Sequence, residues 1–247
     1  MFNRRAAPHP KDHLKHPGIA TASTFQDDWS YSLPMPRTAD PTDIPRRLTD
    51  AGYLLFNRHG YNATGIQQIT DQAGVPKGSF YNHFDSKEAF AAQILRHYTE
   101  WVDEAWDQCL ADAPADALGA IRHAFARFVE HHARTQCQGC LVGNFAAEVA
   151  ESSPACRDAL QTSMEAWRMR LAGLIERAQS EGDIRDDVPA RTLSVLFWDA
   201  WEGALLRMKI ERHTGPLSDT VALLLDALLA PNAAASPRPR LQRAEPA

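Results

Sequence analysis

The chain has 247 residues and a mass of 27.5 kDa, enough for one large domain or two small ones with a substantial core. Apolar residues make up 44% and charged residues 23%, which excludes global disorder and collagen-like repeats. A net charge of −5 excludes bulk positive coating of nucleic acid and leaves room for a small, local DNA-reading surface.

Residues 1–41 carry Pro8, Pro10, Pro17, Pro34, Pro36 and Pro41 among scattered charges with no apolar period, so a disordered N-terminal extension is expected there. Met35 offers an alternative start that would leave a short arm with Arg37 ahead of the first helix. Ile44, Leu48, Ala51 and Leu55 are spaced as one face of a helix, with Thr42 as its expected cap, Pro45 in its first turn and Gly60 at its end. A shorter helical unit follows, capped by Thr64, with Ile66, Ile69 and Ala73 on one face. Gly74 breaks it, because glycine takes left-handed backbone without steric cost. Pro76 then restarts a helix to about His83, with Phe80 inward and Phe84 closing it. Two short helices joined by a glycine turn, behind a longer one, follow helix-turn-helix grammar. The second opens on Lys77, Gly78 and Ser79, followed by Tyr81, Asn82 and His83, small or polar groups that approach phosphates and base edges closely.

Beyond Ser86 no segment reads as a strand. Helices are expected at about 86–111, 115–134, 140–150, 154–180, 189–212 and 217–230. The predicted architecture is all-α: a helix-turn-helix DNA-binding domain at 42–86 (motif about 65–84), a helical effector-binding and dimerisation bundle at 87–230, and a disordered tail at 231–247. The helix starting at Ser86 joins the two regions without a linker, so its movement must reposition the reader. No run reaches the ~18 apolar residues of a membrane span, and the N-terminal segment lacks the apolar core of a secretory signal. With four cysteines and no export signal, the expected location is cytoplasmic, with thiols reduced. No motif asks for a cofactor or a metal.

The run from Thr64 to Ile69, the run from Ala73 to Phe84, and Lys87-Glu88 together resemble the DNA-binding domain of TetR-family transcriptional regulators, densely over about 44–95. A fainter likeness, in Gly139-Cys140-Leu141-Val142-Gly143-Asn144 and Trp198-Asp199-Ala200-Trp201-Glu202-Gly203-Ala204, is to the branch of N-ethylmaleimide- and acrylate-responsive repressors. There a cysteine in a Gly-Cys-Leu run senses electrophiles or reactive chlorine. The resemblance implies a homodimer on a palindromic double-stranded operator, released by a small-molecule or electrophilic inducer, and no enzymatic activity. It implies that Thr64 caps the motif's first helix and holds a phosphate. Lys77, Gly78 and Ser79 would lie at base edges, Tyr81, Asn82 and His83 at backbone or adjacent bases, and Lys87 on a phosphate. Residues 44–100 hold six basic side chains (Arg46, Arg47, Arg58, Lys77, Lys87, Arg96) and five acidic ones, so the reader is electrostatically thin.

Other features keep two readings. Cys140 is a small buried hydrophobe, or a sensor whose place at a helix N-terminus lowers its pKa, with Cys137 as resolving thiol. A zinc site would need two further ligands, for which His131 and His132 are the nearest. A thiol enzyme centred on Cys140 would need a base and an oxyanion site, neither in recognisable spacing. Trp167, Phe197, Trp198 and Trp201 form a ligand cage, with Asp199 and Glu202 as polar partners, or serve as core. The stripes Trp198-Trp201-Leu205-Met208 and Val221-Leu224-Leu225-Leu228 are wide enough for a four-helix dimer interface. His123, His131 and His132 are expected on solvated faces.

Overall fold

The computed structural model describes residues 43–231. The expected N-terminal extension, Arg37, Met35, Thr42 and the C-terminal tail from 232 lie outside them. The described residues contain helices and no strand, and no helix among them is long and apolar enough to cross a membrane.

Helix α1 (Ile44–His59) starts on Asp43, whose carboxylate accepts the Arg46 N–H at 3.1 Å. The cap is therefore Asp43 rather than Thr42. Leu48, Ala51 and Phe56 are buried as the spacing requires, and Gly60 ends the helix with φ of 83°. Helix α2 (Ile66–Ala73) ends on Gly74 in left-handed backbone (φ 65°, ψ 38°), the conformation the turn requires. Arg47 Nη2 donates to the Ala73 and Gly74 carbonyls at 2.5 and 3.0 Å and so fastens that turn to α1. Helix α3 (Lys77–Tyr81) is shorter than the sequence suggests. His83 and Phe84 N–H groups both return to the Phe80 carbonyl, which closes the helix early.

Helix α4 (Lys87–Ala111) is capped by the Ser86 hydroxyl, α5 (Ala117–Arg134) by Asp116 and α7 (Pro154–Glu181) by Ser153. Between them, α6 (Leu141–Val149) begins at Cys140. Helix α8 (Ala190–Glu211) and α9 (Gly215–Leu223), which runs into a π-helical turn at Leu224–Leu228, complete the bundle. Helix α7 is central, packed against α4, α5, α6 and α8, and α9 covers α8.

One hydrophobic cluster runs through both regions. Phe90, near the start of α4, packs on Phe84 at 4.6 Å and Phe80 at 5.1 Å, inside the small N-terminal unit. Phe145 of α6 meets Phe56 of α1 at 5.3 Å and Tyr61 at 5.9 Å. Two elements of the bundle, α4 and α6, thus share a core with the reader.

Of the two stripes assigned to a dimer interface, the one on α8 turns inward, whereas the second is split, with Leu224 and Leu225 in the core, Val221 half-buried and Leu228 exposed. Trp198, Trp201, Leu205 and Met208 are at most 6% exposed within the single chain, and Leu224 and Leu225 are buried as well. The exposed apolar side chains of α8 are instead Leu196, Leu206 and Ile210, on the other side of the helix. The spacing was right, but its partner is α7 and the core of the same subunit. Leu223 and Leu228 extend the exposed apolar face onto the last helical segment.

Candidate functional site

Two places gather the chemistry. The first is the outer face of α3. Phe80 is fully buried and anchors the helix, while Lys77, Gly78, Tyr81, Asn82 and His83 are exposed and Ser79 is half-buried. Tyr81 is 55% exposed although its ring edge rests on Phe80, 5.5 Å away. A Cβ added at Gly78 would meet nothing within 4 Å, so the chain's own packing does not require glycine there.

Two residues expected at this face do other work. Thr64 is 1% exposed, and its hydroxyl donates to the Gly60 carbonyl at 2.7 Å. It ties off the end of α1, while α2 is opened by Gly65, whose N–H donates to Gln68 Oε1 at 2.6 Å. Thr64 is therefore neither a cap nor a phosphate ligand, because a hydroxyl this buried is already satisfied. Lys87 Nζ donates to the Tyr61 carbonyl at 2.7 Å and sits 4.0 Å above the Tyr61 ring. Burial lowers its pKa, against the pull of nearby Glu148. Its ammonium braces the α1–α2 connection, which replaces the phosphate contact read from its place at a helix start.

The second place is a cavity of about 40 Å³ inside the bundle, lined by Tyr98, Trp101, Trp167, Trp198 and Trp201 with Cys140, Glu202, His131 and His132. At roughly 10–15 Å³ per water it holds only a few atoms. Of the expected cage, Trp167, Trp198, Trp201 and Glu202 meet at one cavity together with Cys140, whereas Phe197 and Asp199 do not line it, and Tyr98, Trp101 and the histidines are added. Cys137 is buried at a left-handed backbone position (φ 59°) and does not line the cavity. All four cysteines are free thiols.

The electrostatics of Cys140 reverse the expectation of a low-pKa thiol. Burial pushes its pKa up, nearby Glu202 pushes the same way, and these outweigh the backbone N–H groups of Gly143 and Val142 and the hydrogen bond with Tyr98. The Tyr98 hydroxyl donates to Cys140 Sγ at 3.7 Å. Burial likewise raises Glu202 to about 7, opposed by its hydrogen bond with Cys140. A Cβ on Gly143 would lie 2.4 Å from Glu202 Oε2, so the glycine is what lets this carboxyl reach the first turn of α6.

His131 and His132 are not solvated. Burial lowers them to about 4 and about 3, and His132 is 8% exposed. The signal was present, because Ile121, Phe125, Phe128 and His132 continue one helical face at spacings of 4, 3 and 4. Among the described residues, no three His, Cys, Asp or Glu side chains gather as a metal site.

The cavity connects to the reader through α6. At one end of α6 lie Cys140 and Gly143, and at the other Glu148 Oε2 accepts the Asn62 N–H at 2.7 Å. Helix α4 makes a second connection, carrying Tyr98 and Trp101 to the cavity and Phe90 to the reader.

Residues 48–94 match the family described as bacterial regulatory proteins, tetR family, and residues 114–224 match the tetracyclin repressor-like C-terminal domain. The HTH-type transcriptional repressor DhaR of a Mycobacterium species is 36% identical over 188 residues, covering 76% of this chain and 93% of that protein. The HTH-type transcriptional repressor NemR of Escherichia coli is 29% identical over 196 residues, covering 76% and 96%. Among solved structures, a TetR regulatory protein from Rhodobacter sphaeroides superposes with a TM-score of 0.68 at 32% identity, covering 73% of this chain and 96% of that one.

Proposed function

The chain belongs to the tetR family of bacterial regulatory proteins, and from that premise we propose that it is a homodimeric repressor whose α3 helices read two half-sites of a palindromic operator. The observation that carries this reading is the outer row of α3. Lys77, Gly78, Tyr81, Asn82 and His83 face solvent together, on a helix held by a single buried anchor, Phe80. Gly78 supports it independently, since a glycine with open space beside it suits close approach by another molecule. The two relatives named as repressors support the sign of regulation.

Dimerisation uses the exposed apolar faces of α8 and the last helical segment. Leu196, Leu206, Ile210, Leu223 and Leu228 are five of the seven exposed large hydrophobic side chains among the described residues. A self-complementary contact across these faces buries them. The effector enters the cavity of the bundle, and α6 and α4 carry the change to the reader. A coupling of ~1–3 kcal/mol between cavity and operator gives a 5- to 150-fold loss of DNA affinity. The protein works where its operator is, in the cytoplasm.

A thiol-enzyme reading gains no support from Cys140, whose buried sulfur is held in its protonated form. A stoichiometric electrophile sensor at Cys140 requires the thiol to ionise first, which its burial opposes.

The test is operator binding by Tyr81→Ala on a duplex from the protein's own upstream region. Each lost contact of ~1–3 kcal/mol counts twice in a dimer, so affinity falls at least roughly 30-fold while the dimer persists. Unchanged affinity removes α3 as the reading element.

A further inference from the structure

A series of hydrogen bonds leads from α8 to the first helix of the reader. Lys209, on α8, donates from Nζ to Asn144 Oδ1 at 2.7 Å. Asn144, in the first turn of α6, donates from Nδ2 to the Gln138 carbonyl at 3.4 Å. Gln138, in the loop ahead of α6, accepts Asn57 Nδ2 of α1 on its Oε1 at 3.2 Å. Four residues far apart in sequence, one from each of four segments, thus form a polar strut.

The loop in the middle holds Gln138 in place. The Gln138 N–H donates to the Thr135 carbonyl at 3.3 Å, and the Cys137 N–H donates to the His132 carbonyl at 3.0 Å. Gln136 and Cys137 adopt left-handed backbone, with φ of 54° and 59°, and are two of the three non-glycine residues with positive φ among the described residues. Residues with a Cβ persist in that region only where their surroundings over-determine them. Gly139 follows with φ of 85°, and a Cβ on it would lie 3.0 Å from Lys209 Cδ. Glycine at 139 therefore serves both the turn and the passage of the Lys209 stem to Asn144.

The other connections between bundle and reader are of a different kind. Helix α4 enters the reader as a single rod, which leaves bending and rotation about its own axis. The rings of Phe145 and Phe56 meet at 5.3 Å in a contact that can slide. Glu148 ties the Asn62 N–H to α6 alone. Hydrogen bonds have preferred distances and angles, and the strut starts on α8, next to Leu206 and Ile210 of the exposed apolar face.

Resting on the reading of the chain as a dimeric operator-binding regulator, we infer that Asn57, Gln138, Asn144 and Lys209 are positioning residues that set the separation of the two readers and so select operators by half-site spacing. None of the four belongs to the outer row of α3. They act by fixing α1 relative to the helix that faces the second copy. Spacing is a demanding criterion, because one base pair shifts a half-site by about 3.4 Å and turns it by about 34°. A reader held only by a rod and a sliding contact follows such a shift, whereas one held by the strut does not.

The experiment measures binding of the full-length protein to its own operator and to versions with one base pair added or removed between the half-sites. The wild type is expected to lose at least about ten-fold in affinity on either change, as simultaneous engagement fails. Gln138→Leu keeps the size and removes the acceptor, and should shrink that ratio by at least roughly three-fold, the scale of one hydrogen bond. Gln138→Glu keeps an acceptor for Asn57 and should restore the wild-type ratio. Lys209→Met, at the other end of the strut, keeps the stem and loses the donor. It should behave as Gln138→Leu does, and it decides the matter if the loop variant fails to fold. A second measurement needs no DNA. Spin labels on the exposed positions Gln72→Cys of the reader and Glu176→Cys of α7, in chains diluted into unlabelled protein, report the distance between reader and bundle. Its distribution should be narrow in the wild type and Gln138→Glu, and wider in Gln138→Leu and Lys209→Met. Spacing discrimination as steep in Gln138→Leu and Lys209→Met as in the wild type, or an equally narrow distance distribution, overturns the inference. If the wild type binds no duplex from its own upstream region, the regulator reading falls and the spacing role with it, while the label distances still report whether the strut holds the reader.

Discussion

Glu202 and Cys140 share a buried corner where desolvation raises the cost of ionising either group, and this gives the protein a pH signature. Glu202 sits at about 7 in the fold against an ordinary 4.5, so between these values the native state holds a proton that the unfolded chain has lost. Stability is therefore lost as pH rises through that window, by roughly 3 kcal/mol when complete. His131 and His132, lowered to about 4 and about 3 from 6.5, act the other way: the unfolded chain gains protons first, and stability is lost as pH falls below 6.5. Together these groups place the stability maximum near neutrality. Glu202→Gln removes the first effect, so the variant's melting temperature should match the wild type near pH 4.5 and exceed it increasingly up to pH 8. Parallel melting curves across this range would disprove the burial of a titrating acid.

At the scale of the element, α3 separates folding from function. Its only buried side chain is Phe80, and Gly78 occupies an interior helical position with open space around it. Gly78→Ala should leave stability unchanged or raise it by up to about 1 kcal/mol, through helix propensity and the stiffer unfolded chain. In the proposed operator complex the same methyl stands between the helix and the DNA, so operator affinity should drop at least ten-fold. A variant both stable and fully active would show that nothing approaches this face closely. Helix α6 is the complementary case, with Gly143 under the Glu202 carboxyl and Glu148 on the Asn62 N–H, so its two ends belong to different regions of the molecule.

At the scale of the whole molecule, the proposed dimer covers the exposed apolar face of α8 with a second copy and doubles the contacts to the operator. Leu206→Arg/Ile210→Arg places two like charges on a self-complementary surface, and analytical ultracentrifugation should find monomers that no longer hold the operator. A variant that stays dimeric would move the interface elsewhere. The reader itself is poor in usable charge. Arg47 is tied to the Ala73 and Gly74 carbonyls and Lys87 to Tyr61, while Arg46 lies 3.9 Å from Asp50. At about −0.9 per neutralised phosphate, the slope of log affinity against log salt should be only about −2 to −4 for the dimer. A slope near −8 would reveal a basic surface beyond the described residues.

The sequence alone determined the helices, their order and the helix-turn-helix, because apolar spacing, caps and Gly or Pro punctuation are local and act within a few residues. It also identified the outward groups of α3, since Phe80 fixes which way so short a helix must face. Only the tertiary structure decided what each apolar stripe packs against. Periodicity tells that Trp198, Trp201, Leu205 and Met208 share a face, but whether α7 or a second subunit covers it depends on contacts distant in sequence. The same limit explains Thr64, Lys87 and Cys140. Their residue types and positions at helix ends suggested phosphate binding and a reactive thiol, whereas burial and partners brought in from far along the chain set what those groups do.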